Sequence, residues 1–322
     1  MSGYKSDIID LFSGKRGGHV QKWLYLDITR PDESTGSSLW SDFVSSNKNY
    51  YTIRNEIDLI PALVRHLKKD YDSIVDFGIG SNSAVDFKTA PIIQSQKGLK
   101  RYTAIDVSKE EIDHGLQYLK SKIENDNIDY RGVCGDFYKT HSIQGNHKLG
   151  LCLGGTITNE DMIVGGDFPE SKFIDHIKTM ARTTHGSGRS EIILSADTNP
   201  DLQAAQDSYL HQSWVRMMTG LLYDVQSQLN PKGDFQPSMW HYVPVIDRDN
   251  HVLQQAVSPS VDQSFEIDGH EFNVKKGDLF VAINLFKLPL DLFIDLAEKS
   301  GLENCEPIRS DDHSMVMLEA SV

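Results

Sequence analysis

The fold is decided by the stretch Ser73-Ile74-Val75-Asp76-Phe77-Gly78-Ile79-Gly80-Ser81, in which a short β-branched run leads directly into a glycine turn. A strand that ends in Gly-x-Gly is how a doubly wound α/β domain opens a tight turn beneath a ligand. The motif alone also fits a tight turn that holds no ligand, so the surrounding segments must decide between the two interpretations.

Four more strand candidates follow the glycine turn, and helical patterns separate them. They are residues 102–105, 130–134, 149–153 and 191–195, which lead into Asp106, Gly135-Asp136, Gly154-Gly155 and Asp197. Ser108 and Glu111 have the spacing of a capping box, which predicts a helix start after the second strand. Alternating strands and helices predict a parallel sheet, in which a ligand lies at the carboxyl ends of the strands.

The remaining segments predict a second lobe. Residues 13–49 are rich in Ser, Gly and Asn and are expected to be mostly irregular, whereas a helix is expected after Tyr51. A long helical pattern runs from Leu202 towards Leu229, and strands are expected within 236–257, 280–286 and 314–318. We therefore expect a doubly wound, Rossmann-like α/β core over residues 61–199, completed by 286–322, and an α+β substrate-binding lobe over 1–60 and 200–285.

The composition disfavours several classes of partner. With 32 Lys and Arg against 46 Asp and Glu, the net charge of −14 repels nucleic acids and anionic membranes. No apolar run approaches the roughly 18 residues of a membrane span, and the N-terminus lacks the apolar stretch of a signal peptide. The three cysteines have no metal-binding spacing. We expect a cytoplasmic monomer without nucleic-acid, membrane or metal partners.

Residues at neighbouring strand ends favour an adenosine ligand. A carboxylate at Asp106 can accept hydrogen bonds from both ribose hydroxyls. One strand later, Asp136 is placed to accept from an adenine amine and Phe137 to stack on the adenine face. Singly, each has a plainer interpretation: Asp106 as a favourable charge at a helix start, Asp136 as a turn residue and Phe137 as core. Together with the glycine turn they favour adenosine.

The glycine turn also distinguishes between adenosine cofactors. A dinucleotide favours Gly-x-Gly-x-x-Gly, but Ser83 stands at the third glycine position, and no P-loop motif occurs. A cofactor without phosphate fits better, which favours S-adenosylmethionine bound at Gly78, Gly80 and Ser81. A dinucleotide-dependent oxidoreductase and a non-catalytic binding protein on the same scaffold remain alternatives.

Six further segments stand in an order that a known family shares. They are Lys22-Trp23-Leu24-Tyr25, Gly36-Ser37-Ser38-Leu39-Trp40, Asn49-Tyr50-Tyr51-Thr52-Ile53-Arg54-Asn55-Glu56, Val133-Cys134-Gly135-Asp136-Phe137, Leu153-Gly154-Gly155-Thr156-Ile157-Thr158-Asn159, and Asp197 with Tyr209 twelve residues later. In this order and spacing, over nearly the whole chain, the sequence resembles the histidine-specific, S-adenosylmethionine-dependent methyltransferases of ergothioneine biosynthesis.

The resemblance implies a class I methyltransferase fold, with S-adenosylmethionine held by the glycine turn, Asp106, Asp136 and Phe137. It also implies an amino-acid substrate gripped by Tyr25, Tyr50, Asn159 and Tyr209. The matching Asn and last Tyr of the family hold the substrate carboxylate, and tyrosines near the amine help to position it. Without the resemblance, Tyr25 and Tyr50 fit equally well as core aromatics, Asn159 as a helix cap and Tyr209 as part of a buried helix face.

One pair of positions departs from the family pattern. The family recognises the imidazole of histidine with a Glu and a Ser two residues apart on a late strand. Alignment through Lys276-Gly277-Asp278 places Ile283 and Leu285 there, and a shift by one residue places Ala282 and Asn284 there. Either register lacks the carboxylate. We therefore expect an amino acid or related small amine with an apolar or aromatic side chain, with histidine as the alternative.

The predicted reaction is a direct displacement, in which the amine nitrogen attacks the methyl group of the sulfonium. Its acceleration comes mainly from orientation of the two reactants. The α-ammonium must lose its proton first, and we assign this relay to Tyr50 with Tyr25 beside it. The sequence thus predicts an amino-acid N-methyltransferase of secondary metabolism.

Overall fold

Two compact units make up the protein. The computed structural model describes residues 2–68, 70–123, 125–163 and 165–322. We call the two units the sheet unit, which comprises 52–158, 170–199 and 288–322, and the lobe unit, which comprises 1–51, 159–169 and 200–287.

The unit boundaries differ from the expected ones mainly in two segments. Residues 52–60 lie in the sheet unit, and residues 159–169 lie in the lobe unit. The first difference has a simple cause, because Leu59, Ile60 and Leu63 of the helix Tyr51–His66 belong to the buried core of the sheet unit. The predicted helix after Tyr51 is therefore present, but most of it packs with the sheet rather than with the lobe.

A seven-stranded sheet organises the sheet unit. Its strands are β1 (Ser73–Phe77), β2 (Arg101–Asp106), β3 (Asp129–Cys134), β4 (Lys148–Cys152), β5 (Ser190–Asp197), β6 (Glu303–Arg309) and β7 (Met315–Ser321). The spatial order is β6-β7-β5-β4-β1-β2-β3. The neighbours from β3 to β5 pair in parallel, whereas β7 runs antiparallel to both β5 and β6. The predicted doubly wound α/β architecture is confirmed.

Helices connect these strands. They are Tyr51–His66, Asn82–Ala84, Ala90–Ser95, Lys109–Lys122, Glu170–Thr184 and Leu290–Lys299, with a π-helical segment at Val85–Thr89 and a 3-10 helix at Thr156–Thr158. Ser108 Oγ accepts the Glu111 backbone N–H at 3.2 Å, which starts the helix after β2 where the sequence predicts it. All five side chains of β1 are buried, as expected for a central parallel strand covered on both faces.

The lobe unit is α+β. Its helices are Ser2–Phe12, Gly36–Ser46, Leu202–Asp207 and Gln212–Leu229, with 3-10 helices at Gln21–Tyr25 and Pro237–Met239. Its strands are Trp240–Asp247, Val252–Pro259 and Phe280–Phe286 in one antiparallel sheet, Lys232–Gly233, Gln263–Ile267 and His270–Val274 in a second, and Arg16–Gly17 with Met162–Ile163 as a short pair. Phe12 fixes the N-terminal helix, because its ring packs 5.1–6.0 Å from five aromatic rings of the later chain.

The structure refines two predictions for the lobe. Residues 13–49 contain the expected irregular segments, but they also contain the helix Gly36–Ser46, which Thr35 and Ser38 start through a capping box. The pattern from Leu202 to Leu229 is two helices rather than one. Asp201 accepts the N–H groups at the start of the first, and His211 caps the second, so each has its own N-terminus.

Candidate active site

The glycine turn lies at the carboxyl end of β1, beside the end of β2. Gly78 and Gly80 have positive φ angles of 99° and 69°, a backbone conformation that side chains disfavour. The Gly78 N–H donates to Ile105 O of β2 at 3.0 Å. A Cβ on Gly78 would stand 4.0 Å from Asp106 Oδ2, so the predicted ribose-binding carboxylate lies next to the predicted turn. Ser81 Oγ accepts the Ala84 N–H and starts the short helix that follows.

Asp106 and Asp136 occupy neighbouring strand ends. Asp106 is half-buried, and burial raises the pKa of its carboxyl. Its Oδ1 accepts the Ser108 N–H at 3.0 Å, and its carbonyl accepts the Gly135 N–H at 2.8 Å. The structure thus brings the β2 and β3 ends together. Their contacts to adenosine stay predictions.

The residues after β3 offer one exposed acid and one aromatic face. Asp136 is exposed, and its Oδ1 accepts the Tyr138 N–H at 2.9 Å, as in a simple turn. The half-buried Phe137 ring lies 6.4 Å from Phe77 and 4.8 Å from Tyr138. Both side chains therefore stand where the sequence places them, at the strand edge that also carries the glycine turn.

A buried carboxyl inside β1 escaped the sequence analysis. Asp76 is 1% exposed, and its Oδ2 accepts the Tyr102 hydroxyl at 2.5 Å and the Thr89 hydroxyl at 3.4 Å. Burial raises the pKa of Asp76 to about 7. Asp76 stands two residues before Gly78, so an ionisable group that titrates near neutrality directly precedes the glycine turn.

A second set of contacts, which the sequence analysis did not predict, joins three segments of the sheet unit. Glu56, at the end of the quoted Asn49–Glu56 motif, is fully buried on the helix Tyr51–His66. Its Oε2 lies 2.6 Å from Lys88 Nζ, and its Oε1 accepts the Gly154 N–H at 2.5 Å. The Glu-ending motif was visible in the sequence, but its partners are 32 and 98 residues away.

Within the lobe unit, the structure brings the three predicted tyrosines into one aromatic cluster. The rings of Tyr50 and Tyr209 are 5.4 Å apart, and Trp40 lies 5.6 Å from Tyr25 and 6.1 Å from Tyr50. The Lys287 ammonium lies 5.5 Å from the Tyr209 ring centre. These contacts place Tyr50, predicted for the amine, beside Tyr209, predicted for the carboxylate.

Burial keeps the phenols of Tyr25 and Tyr50 protonated. It raises the pKa of Tyr25 to about 12 and the pKa of Tyr50 well above its ordinary value, with the Tyr209 phenol raising the Tyr50 pKa further. A neutral phenol can pass a proton along a hydrogen-bonded chain, because its oxygen accepts one proton while it donates another. The cluster is therefore suited to a relay rather than to a resident phenolate base.

Ile283 and Leu285, the two predicted substrate residues of the strand Phe280–Phe286, lie on the same face of that strand. Leu285 stands opposite Leu253 and Ile283 opposite Gln255, and both predicted residues are buried. Gln255 Oε1 accepts the Trp214 indole N–H at 3.0 Å, and the Trp214 ring lies 5.0 Å from Tyr209. Ile283 and Leu285 therefore face the same layer as the aromatic cluster.

Asn284 points to the other face of that strand. Its Nδ2 donates to the Gly17 carbonyl at 2.9 Å, and its Oδ1 accepts from Gln254 Nε2 at 3.3 Å. These bonds hold the Asn284 amide within the lobe unit, and the choice between the two alignment registers stays a prediction.

Asn159 directly follows the 3-10 helix Thr156–Thr158 and is half-buried in the lobe unit. Its assignment to the substrate carboxylate stays a prediction. Within the described ranges, no group of three or more His, Cys, Asp or Glu side chains could hold a metal ion. Among the helices that the structure describes, none is long and apolar enough to cross a membrane.

A sequence profile described as histidine-specific methyltransferase, SAM-dependent, matches residues 5–321. The chain belongs to this family. The N-methyltransferase dtpB of Aspergillus flavus is 23% identical to it over 301 residues, which cover 88% of this chain and 81% of that protein.

The comparison with solved structures finds methyltransferases of low identity and low TM-score. An S-adenosylmethionine-dependent methyltransferase from Clostridium acetobutylicum is 10% identical with a TM-score of 0.43, covering 89% of this chain and 97% of its own. A sugar N-methyltransferase from a Streptoalloteichus species is 12% identical with a TM-score of 0.40, covering 91% and 94%.

Family membership confirms the resemblance and makes the protein an S-adenosylmethionine-dependent N-methyltransferase. It replaces the oxidoreductase and the non-catalytic binding protein as interpretations of the glycine turn. The residues fit the cofactor, which supplies a methyl group on a positively charged sulfur. Gly78 leaves open space beside the Asp106 carboxylate, which would accept the ribose hydroxyls, and the buried Lys88 ammonium would contact the carboxylate of the cofactor.

Proposed function

We propose that the protein methylates the amine of a free amino acid, or of a closely related small amine, whose side chain is apolar or aromatic. The observation that carries this proposal is the buried pair Ile283 and Leu285, on the face that the aromatic cluster shares. An aliphatic wall can surround a hydrocarbon or aromatic side chain. It leaves the hydrogen-bonding groups of an imidazole without partners, at a cost of about 1–3 kcal/mol each.

The aromatic cluster supports an amino-acid head group. The phenols of Tyr25, Tyr50 and Tyr209 supply hydrogen-bonding groups within one layer of rings, and aromatic faces attract an ammonium ion. Asn159 and Tyr209 would bind the carboxylate, as the family resemblance implies.

The transfer needs a neutral amine nitrogen whose lone pair points at the methyl carbon. We assign the relay of the ammonium proton to solvent water to the Tyr50 hydroxyl, which accepts this proton as it donates its own, with Tyr25 beside it. The bond between nitrogen and methyl carbon forms as the carbon–sulfur bond breaks, the sulfur keeps that electron pair, and no enzyme-bound intermediate is required. Orientation supplies most of the acceleration. The dtpB relative is itself named an N-methyltransferase, which agrees with a nitrogen acceptor.

A binding and transfer screen tests the proposal. The enzyme saturated with S-adenosylhomocysteine is titrated with each of the twenty amino acids, and the ligands that bind are then incubated with methyl-labelled S-adenosylmethionine. We expect an aromatic or aliphatic amino acid to bind more tightly than histidine and to receive label on its amine. Preference for histidine would establish the alternative, and label on none of the twenty would exclude free amino acids as acceptors.

A further inference from the structure

Lys88 is a buried cation beside the Gly154 turn of the sheet unit. It belongs to the π-helical segment Val85–Thr89 that follows the Gly78–Gly80 turn, and only 6% of it is exposed. Its Nζ lies 3.9 Å from the place that a Cβ on Gly154 would take. A buried ammonium is unfavourable unless a negative charge and hydrogen-bond acceptors surround it.

Glu56 supplies that charge and also holds the second turn. Its side chain is fully buried, with one oxygen 2.6 Å from Lys88 Nζ and the other accepting the Gly154 N–H at 2.5 Å. Gly154 has a positive φ of 81°, so this turn depends on a conformation that an ordinary residue disfavours. One carboxylate thus fixes a cation after β1 and a backbone turn after β4.

The ammonium retains hydrogen-bonding capacity beyond this pair. Within the part of the chain that the structure describes, Glu56 is the only carboxylate within ion-pair distance of Lys88 Nζ, while an ammonium has three N–H groups. S-adenosylmethionine carries one carboxylate, on its amino-acid portion, and none on its adenosine portion. A buried ammonium beside a turn without side chains suits that carboxylate.

We propose that Glu56 is a positioning residue for the cofactor, which holds Lys88 and the Gly154 turn in the arrangement that binds the carboxylate of the cofactor's amino-acid portion. Glu56 does not itself touch the cofactor. Its effect passes through Lys88 and through the Gly154 backbone, and it is independent of which acceptor the enzyme methylates.

Two ligands that differ in the amino-acid portion test this role. S-adenosylhomocysteine has that portion and 5′-methylthioadenosine lacks it, and both dissociation constants are measured by calorimetry. We expect Glu56→Gln to weaken S-adenosylhomocysteine roughly 10-fold or more, the order of one lost charge-assisted contact, and to change methylthioadenosine less than about twofold. Asp58→Asn, which removes an exposed carboxylate from the same helix, should change neither constant.

A double variant separates positioning from a merely structural role. Glu56→Gln combined with Lys88→Met removes both charges, so no unpaired ion stays buried even if Glu56→Gln alone folds poorly. We expect it to lose as much S-adenosylhomocysteine affinity as Lys88→Met alone, because the Gln oxygen can still accept the Gly154 N–H and the lost charge acts only through Lys88. Additive losses in the double variant would overturn the proposal, as would equal weakening of both ligands, or of neither, by a folded Glu56→Gln.

Discussion

The predicted sites of the two units offer different kinds of chemistry. The predicted site of the sheet unit contains ionisable groups, namely Asp76 within β1, Asp106 at the end of β2 and the buried Glu56–Lys88 pair. The predicted site of the lobe unit is built from aromatic rings and two aliphatic side chains. The predicted cofactor site thus offers charged groups, whereas the predicted acceptor site offers aromatic and aliphatic surfaces. Variants in the two units should therefore separate cofactor affinity from acceptor choice.

The largest effect is expected at the sheet edge. Asp106→Ala should raise the dissociation constant of S-adenosylhomocysteine roughly 30-fold, about 2 kcal/mol, because the ribose hydroxyls lose their acceptor. Calorimetry measures this dissociation constant. Asp129→Ala is the matched control, since this exposed acid lies at the opposite end of the neighbouring strand β3. An unchanged affinity in Asp106→Ala would remove Asp106 from the site.

The reverse pattern is expected for Asn159→Ala. Losing a carboxylate-binding amide should raise the KM for the acceptor roughly 10-fold and change the cofactor dissociation constant less than about twofold. Steady-state kinetics with the best acceptor of the screen, together with S-adenosylhomocysteine titration, measure the two effects. A larger loss for the cofactor than for the acceptor would contradict this assignment.

A smaller effect is expected for selectivity in the lobe. Ile283→Glu restores a carboxylate on the face of the aromatic cluster and should improve the kcat/KM for histidine relative to the preferred acceptor several-fold. Asn284→Glu is the comparison, because its side chain lies on the opposite face and should give no such gain. A gain from Asn284→Glu alone would show that the shifted register applies.

The smallest effect concerns pH and stability. The pKa of Asp76 is raised to about 7 from an ordinary 3.8, so the folded state keeps a proton that the unfolded chain has already released. The stabilisation that the protonated Asp76 carboxyl gives the folded state is fully present below about pH 4, and it is lost as the pH rises through 7. Asp76→Asn should therefore gain a few °C in Tm relative to wild type between pH 5 and pH 8, measured by thermal unfolding. A difference in Tm that stays constant with pH would rule out titration of Asp76.

Much of the sheet unit was predictable because its signals are local. Each strand from β1 to β5 is a short run that leads directly into a glycine or an acid, so strand and site residue are read together. The edge strand Glu303–Arg309 was missed, because it is largely exposed and contains Pro307, and its residues give no apolar alternation. The Glu56, Lys88 and Gly154 contacts were missed because they join residues that only the sheet topology brings together.

In the lobe unit, prediction depended on resemblance rather than on pattern. The positions of Tyr25, Tyr50 and Tyr209 came from short motifs, and the structure places them in one aromatic cluster. The helix Gly36–Ser46 was hidden by its many serines, which are weak helix formers. Thr35 and Ser38 nevertheless start it through their side-chain bonds.

The bond from the Asn284 amide to the Gly17 carbonyl has a consequence for redesign. It fastens one side of the strand to the beginning of the chain, so position 284 is constrained by this bond, whereas 283 and 285 belong to the buried core and are constrained by packing. A combinatorial library at those two positions should therefore use apolar side chains of similar total volume, which can change the preferred amine while the scaffold stays intact.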